Sequence, residues 1–442
     1  MANLEKSSRK QLTIKDFCNK KGISAVQVYG KSSITEDGNF LSFSDQAAIV
    51  SHYLQLKNRP EGVLYKKNAE QILNEWSSWM DEDMTDAVAD GDMVSEPPVF
   101  QLNLFHDLLN APFHDSASPK FTFVDLFAGI GGIRIPFTEL GGKCVFSSEW
   151  DKSAQISYSY NFGEVPFGDI TKINSDSIPK HDVLLAGFPC QAFSIIGKMK
   201  GFADTRGTMF FEVARILQHH QPKAILLENV KQLVSHDGGK TFKVILDTLA
   251  ELGYSVKWKI LNALDFGLPQ KRERVIIVGF KSAAACEQFN FDFEPIAYNL
   301  ASVLEDDKNV DSSLFASDMI LDKRRKRVEG KNVFYPSVWH ENKSGNISIL
   351  PYACALRTGA SYNYLLINGY RRPSSRELLR FQGFPEKFKI EVSHQEIRRQ
   401  TGNSVAVPMI RDVAKKIIQL TTKIKRFSSS CSGSVSFGGN PQ

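Results

Sequence analysis

Cys190 sits in Gly187-Phe188-Pro189-Cys190-Gln191-Ala192-Phe193-Ser194, directly after the apolar run His181–Ala186. A cysteine in a loop at the carboxyl end of a parallel strand lies where open α/β sheets place their ligands. Its thiolate is a strong nucleophile wherever neighbouring positive charge lowers its pKa. Cys144 and Cys354, inside apolar strands, read instead as structural thiols. Glu228-Asn229-Val230 follows a second apolar run, Ala224–Leu227. A carboxyl group at a dry strand end has a raised pKa and can serve as an acid. Taken alone, a helix cap is the plainer reading of Glu228. Gln270-Lys271-Arg272-Glu273-Arg274 precedes a third run, Val275–Gly279. Its two arginines alternate on one side of an extended segment and can reach one cleft, unless the run is only a solvated charge cluster.

A fourth motif is built for a nucleoside. Asp125-Leu126-Phe127-Ala128-Gly129-Ile130-Gly131-Gly132 stands where a strand ends and a helix begins, so its glycines can turn tightly and admit a ligand to the backbone. Arg134 occupies the place of the last glycine in a strict GxGxxG. Glu149 ends the next strand, where an acid can bind both hydroxyls of a ribose. Asp169-Ile170 supplies a candidate acceptor for an adenine amino group. By itself this set says nucleoside cofactor and no more, and an ordinary strand–helix turn stays open.

These residues need elements to position them. Residues 121–280 alternate in the way an α/β sheet requires. Strands are expected at Phe121–Phe127, Cys144–Ser148, His181–Ala186, Lys223–Leu227 and Val275–Gly279. Helices are expected at Ile133–Leu140, Ser153–Asn161, Phe210–His219 and Thr241–Leu252. Near-continuous apolar strands separated by helices predict a doubly wound, mostly parallel, buried sheet.

Further domains are expected around it, since 442 residues exceed the roughly 100–200 of a usual domain. Residues 1–80 form an accessory domain: helices at Thr13–Lys20 and near Gln46–Leu56 and a strand-like Gly38–Phe43 admit a helix-turn-helix with a wing. Short helices around a glycine turn are, however, common. An acidic linker spans 81–119, with seven acids and no base between Asp81 and Glu96. The α/β domain covers 120–281. An irregular stretch follows it, and a Ser/Gly tail without fixed structure runs over 427–442.

Composition narrows the class. Hydrophobic residues are 42% and charged residues 23%, as in globular proteins. No window reaches the ~18 uncharged apolar residues of a membrane span, and the first ten residues carry no signal-peptide run. Six scattered cysteines with no CxxC pair exclude a disulfide framework or a Cys-rich zinc site and fit a reducing cytoplasm. The net charge of +5 conceals an asymmetry: residues 1–120 hold 12 Lys/Arg against 17 Asp/Glu, and the remainder 42 against 32. An excess of that size suits a polyanion binder, though a merely soluble basic surface would show it too.

Glycine loop, Pro-Cys-Gln, Glu-Asn-Val and Gln-Lys-Arg-Glu-Arg occur in order, each at a strand end. Together with Arg376-Glu377-Leu378-Leu379-Arg380-Phe381-Gln382-Gly383-Phe384-Pro385 and Gln400-Thr401-Gly402-Asn403-Ser404-Val405, they closely resemble the DNA (cytosine-5)-methyltransferases of bacterial restriction–modification systems. The resemblance covers roughly residues 120–281 and 370–420. Ala192 replaces the proline most often found after Pro-Cys-Gln, a variant that also occurs in the family.

The resemblance implies an S-adenosylmethionine-dependent fold and a site-specific enzyme that protects host DNA, with 120–281, completed by 401–426, as the catalytic domain and 282–400 as a smaller target-recognition domain. By residue-wise transfer, Cys190 is the nucleophile that adds to carbon 6 of a flipped cytosine, and protonated Glu228 donates to ring nitrogen 3. Arg274 holds the carbonyl oxygen with Arg272 assisting, while Asn229 and Pro189 contact the base. S-adenosyl-L-methionine is expected on Phe127, Gly129, Gly131, Glu149, Trp150, Asp169, Ile170, Pro189, Asn403 and Ser404. Ser194 and Lys198 are expected to close over double-stranded DNA. Lys323, Arg324 and Arg325 suit phosphate contacts, although a solvated loop or an import signal would read the same.

Arg357 lies in a stretch suited to base edges, but Ala355-Leu356 stands where the family often has Thr-Leu, so the base-reading register is open. A short GC-rich palindrome is the expected target, with CCGG the choice on loose likeness. The resemblance also implies a monomer in the bacterial cytoplasm, at the nucleoid, with no membrane and a restriction endonuclease as functional partner only. Two other readings stay open: an RNA cytosine-5 methyltransferase, and a DNA-binding autoregulator using the N-terminal domain. A zinc deaminase is excluded because Phe193 occupies the second cysteine position of its motif.

Overall fold

The apolar runs become strands because side chains cover them on both faces. The computed structural model describes residues 33–34, 40–41, 43–74, 110–189 and 209–430. The expected helix at Thr13–Lys20, the acidic run from Asp81 to Glu96 and the segment 190–208 with Cys190, Ser194 and Lys198 lie outside the described residues. Among the described residues, no helix is long and apolar enough to cross a membrane.

In chain order, the elements used below begin with α1 (Phe43–Leu56), β1 (Phe121–Leu126), α2 (Arg134–Glu139), β2 (Gly142–Ser148), α3 (Lys152–Phe162) and β3 (Val183–Ala186). They continue with α4 (Met209–His220), β4 (Ala224–Val230), α5 (Lys240–Glu251), β5 (Ser255–Asn262) and β6 (Glu273–Phe280). The remainder are α6 (Asp318–Val328), β7 (Val338–Glu341), β8 (Ile347–Leu350), β9 (Leu365–Ile367), α7 (Ser375–Phe381), α8 (His394–Asn403) and α9 (Val407–Ser430).

The described residues divide into two compact units. One takes those up to His114, with Val145–Pro179 and Lys387–Ser393. The other takes Asp115–Cys144, Lys180–Glu386 and those from His394 onward.

The larger unit holds the central sheet, in the order β1-β3-β4-β6-β5, and β2, whose first residues, Gly142–Cys144, belong to this unit, is the next strand beyond β1. β1, β3 and β4 run parallel, aligning Leu126 with Ala186 and Ala186 with Leu227. β6 is antiparallel to both β4 and β5. The three parallel strands therefore end together, and the antiparallel β6 starts at that same end. Glu228 pairs with Ile276 and Val230 with Arg274. Two motifs some forty residues apart in sequence thus meet at one strand end.

β5 is the one strand of this sheet absent from the sequence expectation. Its Lys257, Trp258, Lys259 and Ile260 are half or fully exposed, so it reads as a polar stretch rather than an apolar run. α9 closes the core: Val405, Ala406, Met409, Ile410, Val413 and Ile417 are buried in one cluster with Phe121, Phe123, Phe137, Ile276 and Val278. α9 also continues to Ser430, four residues into the tail expected to lack structure. A helix once nucleated gains a hydrogen bond for each added residue, so it runs beyond its packed part.

The stretch expected to be irregular carries its own order. β8, β7 and β9 form an antiparallel sheet, β7 in the middle, and α6 packs on it through Val328 against Trp339, Ile347 and Leu366. Arg371 is fully buried beside it, donating bidentately to Glu377 at 2.8 Å for each bond and to Asp307 at 2.6 Å. Glu377 also completes the capping box with Ser374 that starts α7.

The smaller unit is built on α1. This helix is followed by a 3-10 turn, Pro60–Gly62, and further helix over 63–74. α1 packs through buried Ala48, Val50, Ser51 and His52. α3 opens on Asp151, whose side chain accepts from the Ala154 amide, and closes on left-handed Gly163.

Candidate functional site

β4 leaves the sheet carrying Glu228, which is buried at 7% exposure. Its carboxylate meets Arg274 Nε at 3.0 Å. Burial pushes the Glu228 carboxyl above the usual range, and the opposing pull of Arg274 and Arg272 does not cancel it. A carboxyl group with a raised pKa holds its proton to higher pH than an ordinary carboxylate and is suited to act as an acid.

Gly187, at the end of β3, lies directly beside it: a Cβ there would stand 3.6 Å from Glu228 Oε2 and 3.3 Å from Ile133 Cδ1. Asn229 Nδ2 donates to the Phe188 carbonyl at 2.9 Å, and its Oδ1 accepts from the Val230 amide. The chain that leads through exposed Pro189 toward Cys190 is thereby fixed at its root beside the Glu228–Arg274 pair. Asn229 is tied to backbone, which corrects the expectation that it contacts the base.

Arg272 and Arg274 lie two residues apart, yet their environments differ. Arg272 is 1% exposed and spends its guanidinium on backbone carbonyls: Leu356 at 3.3 Å, Gly402 at 3.0 Å and Ser404. Burial and the neighbouring Arg274 charge push its pKa down to about 9, which still leaves it protonated at neutral pH. It ties the segment around Leu356 to the 402–404 turn, and the expectation that it assists at the base is corrected accordingly. Gln270, given no role from sequence, does the companion task. Fully buried, it donates to the Phe381 carbonyl at 2.8 Å and accepts from the Leu356 amide. The departure to Ala355-Leu356 is therefore held in register through its backbone.

The glycine loop follows β1 in the same unit. Phe127, Gly129 and Gly131 all take positive φ, at 54°, 55° and 81°. For a phenylalanine this is an uncommon conformation, of the kind found where a ligand must be met. A Cβ on Gly129 would meet nothing within 4 Å, so there is open space beside it. A Cβ on Gly132 would come 2.8 Å from Ser404 Oγ and 3.0 Å from Val405 Cγ2. The expected return of Ser404 to the glycine loop is seen, while Asn403 is exposed at the end of α8.

The smaller unit holds the other residues expected to bind a nucleoside. Glu149 is 8% exposed and accepts from the Asp151 amide at 2.8 Å. Trp150 next to it is 79% exposed, a large bare ring with no packing reason to be apolar. Asp169 accepts from the Thr171 amide and hydroxyl, capping a short turn, and Ile170 is buried. A buried carboxylate beside an exposed indole suits a ribose and an adenine face. In the larger unit, the open side of Gly129 leaves room for a ligand at the backbone. Each set, taken in its own unit, has residue types that fit part of S-adenosylmethionine.

The basic run on α6 is divided by the helix. Arg324 is 2% exposed and pairs with Glu341 at 2.9 Å, so it is corrected from a phosphate contact to a structural residue. Arg327 also pairs with Glu341. Lys323 and Arg325 are exposed, as is Arg357, whose guanidinium lies 5.1 Å from the Tyr364 ring centroid. Cys144 is buried in β2, and burial pushes the Cys354 thiol up to about 11, so both are inert.

Known proteins share this arrangement. The sequence signature of C-5 cytosine-specific DNA methylase matches residues 121–419. The type II methyltransferase M.HaeII of Haemophilus aegyptius is 56% identical over 302 residues, 68% of this chain and 93% of that protein. M.HpaII of Haemophilus parainfluenzae is 43% identical over 360 residues, 74% and 96%. Among solved structures, the Entamoeba histolytica methyltransferase EhMeth is similar with a TM-score of 0.52 at 16% identity, over 70% of this chain and 99% of that one. A Spodoptera frugiperda DNMT2 mutant gives 0.51 at 19% identity, over 67% and 99%. At such identities these two structures speak for the fold alone. Signature and relatives, with Glu228 and Arg274 paired at one strand end, lead to one conclusion: the chain belongs to the C-5 cytosine-specific DNA methylase family and is a DNA cytosine-5-methyltransferase of the bacterial restriction–modification type.

Proposed function

We propose that the enzyme methylates carbon 5 of one cytosine in a short duplex target through a covalent Cys190 adduct, with the base flipped out of the helix. The observation that carries the reading is Glu228, a buried carboxyl held by Arg274 next to the root of the Cys190 segment. Carbon 5 of cytosine is a poor nucleophile until the ring loses its aromaticity. The Cys190 thiolate forms a bond to carbon 6, and the electron pair displaced through the ring is met at nitrogen 3 by the Glu228 proton. Arg274 holds the carbonyl oxygen of the base and keeps Glu228 aimed. Arg272 and Asn229 position the two strand ends rather than touch the base. S-adenosyl-L-methionine, when bound, supplies the electrophilic methyl group that the activated carbon 5 requires. Loss of the carbon-5 proton to a base then lets the carbon–sulfur bond break, and Cys190 leaves as the thiolate.

Phe127, Gly129, Gly131, Pro189, Asn403 and Ser404 are assigned to the cofactor, together with Glu149 for the ribose and Trp150, Asp169 and Ile170 for the adenine. A cytosine inside a duplex is out of reach, so extrusion adds a few kcal/mol of unstacking. Lys323, Arg325 and Arg357, with Ser194 and Lys198, are assigned to DNA. The enzyme is read as a monomer in the bacterial cytoplasm that protects DNA from a companion endonuclease.

The test is transfer of a labelled methyl group from S-adenosylmethionine to unmethylated duplex DNA, followed by bisulfite sequencing. Methylation at one short motif supports the reading and reveals the target. Cys190→Ser is expected to abolish transfer, and undiminished turnover in that variant would sink the covalent mechanism.

A further inference from the structure

We propose that α1, which lies outside the family signature, is a working part of the cofactor half: Ser44 acts through Gln155 to position Glu149. The inference rests on the reading of Glu149 as the ribose ligand. Gln155 is 4% exposed and sits in the first turn of α3. Its Nε2 donates to the Glu149 carbonyl at 2.5 Å and faces the Pro166 carbonyl at 3.4 Å. One amide thus bridges the chain at Glu149 and the chain just before Asp169. Its Oε1 accepts from Ser44 Oγ at 3.2 Å and from Lys152 Nζ at 3.3 Å. These bonds fix which way the amide faces, because an amide turned over would present its oxygen to two carbonyls. Beside Ser44, Asp45 Oδ1 lies 3.5 Å from where a Cβ on Gly168 would stand, next to Asp169. The first turn of α1 therefore touches both chain segments assigned to the adenosine.

The rest of α1 is fastened to the same region by a buried polar seam. Ser51 Oγ accepts from the Val165 amide at 3.0 Å, and Gln55 Nε2 donates to the Gly163 carbonyl at 2.9 Å. His52 Nδ1 donates to the Ala48 carbonyl at 2.8 Å, which leaves Nε2 to accept from the Ser147 amide at 3.3 Å. His52 is fully buried, among the rings of Tyr65, Phe146 and Phe167. Tyr65, on the helix that follows, donates to the Val145 carbonyl at 3.0 Å. Detaching α1 would strand these groups without partners, so the helix is built in rather than appended. The family signature begins at Phe121, and every α1 side of this seam lies before it.

The experiment measures affinity of the full chain for S-adenosylhomocysteine and for its 3′-deoxyribose analogue. The wild type is expected to prefer the intact ribose by about ten-fold, the worth of one charge-assisted hydrogen bond. Ser44→Ala should weaken S-adenosylhomocysteine by roughly three-fold to five-fold and leave the analogue unchanged, shrinking that preference. Ser44→Thr should restore it, and kcat at saturating methyl donor and KM for DNA should stay at wild-type values. Glu149→Ala, run in parallel, should abolish the preference because no acceptor remains. A Ser44→Ala enzyme with wild-type preference, beside a Glu149→Ala enzyme that has lost it, overturns the relay and leaves the ribose reading standing. A Glu149→Ala enzyme that keeps the preference removes the ribose reading and the relay with it. Equal weakening toward both ligands in Ser44→Ala also overturns the relay, since general loosening does not distinguish one hydroxyl.

Discussion

At the strand-end site, Arg272 and Arg274 are two residues apart on an extended segment; on α6, Arg324 and Arg325 are adjacent on a helix. In each pair one guanidinium is buried and committed to the protein, and the other is left to act. Arg272 holds three backbone carbonyls while Arg274 holds Glu228. Arg324 holds Glu341 while Arg325 is exposed, with only a surface partner in Asp322 at 3.6 Å. The strand-end site pairs its second arginine with a buried acid, and α6 leaves Arg325 in water. Charge in the first region is therefore fixed on one neighbouring carboxyl group, whereas charge in the second faces solvent. A run of arginines is not a functional unit; burial divides it.

Substitutions can break this division or sharpen it, beginning with the largest effect. Glu228→Gln keeps the shape but cannot give up a proton, and methyl transfer is expected to fall by about 10²–10⁴-fold in single-turnover assays. The same variant carries a pH signature. Because the folded pKa of Glu228 is raised, its contribution to stability is fully present below the unfolded carboxyl value and is lost as pH rises through the folded value. The melting temperature of Glu228→Gln should therefore gain on wild type as pH increases, and wild-type turnover should fall on the alkaline side as the donor ionises. A constant gap in melting temperature across that range would remove the buried-acid assignment.

Arg371→Ala breaks a buried pair inside the larger unit and should cost about 3–5 kcal/mol in denaturant unfolding, since Glu377 is left buried without its counter-charge. Arg272→Ala strands the carbonyls of Leu356, Gly402 and Ser404 and should cost about 2–3 kcal/mol. If Arg272 worked at the base instead, stability would hold and kcat alone would drop.

The smallest effect separates the two α6 arginines. Arg324→Ala should lower stability by about 1–3 kcal/mol. Arg325→Ala should leave stability within about 0.5 kcal/mol and reduce the slope of log affinity for duplex DNA against log salt by about 1. An unchanged slope would take Arg325 off the phosphate backbone.

Much of the larger unit was legible residue by residue. Val183–Ala186, Ala224–Leu227 and Val275–Val278 are unbroken apolar runs and Phe121–Leu126 is interrupted only by Thr122 and Asp125, and burial on both faces leaves a strand few other compositions. β5 escaped because this edge strand is exposed on both faces at Trp258, Lys259 and Ile260 and mixes lysines with apolar residues. The small sheet of β7, β8 and β9 escaped because strands of three or four residues carry too little pattern. Gln155 gave no signal, and Gln270, though it opens the Gln-Lys-Arg-Glu-Arg motif, gave none of its bridging role. A buried glutamine is recognised by what surrounds it, and those carbonyls and amides come from distant parts of the chain.

The sequence by itself determined the candidate groups and their places: a thiol and an acid after the carboxyl ends of buried strands, an arginine at the start of another, and glycines after the first. Local pattern suffices there because strand period and turn chemistry are properties of short segments. Only the tertiary structure decided which of those groups are free to react. Antiparallel pairing of β6 with β4 brings Arg274 against Glu228, and burial raises the acid's pKa. The same folding sinks Arg272 and Arg324 among carbonyls and a carboxylate, and joins Ser44 to Gln155 across 111 positions. Burial and long-range partners set what a charged group can do, and neither is a property of its neighbours in sequence.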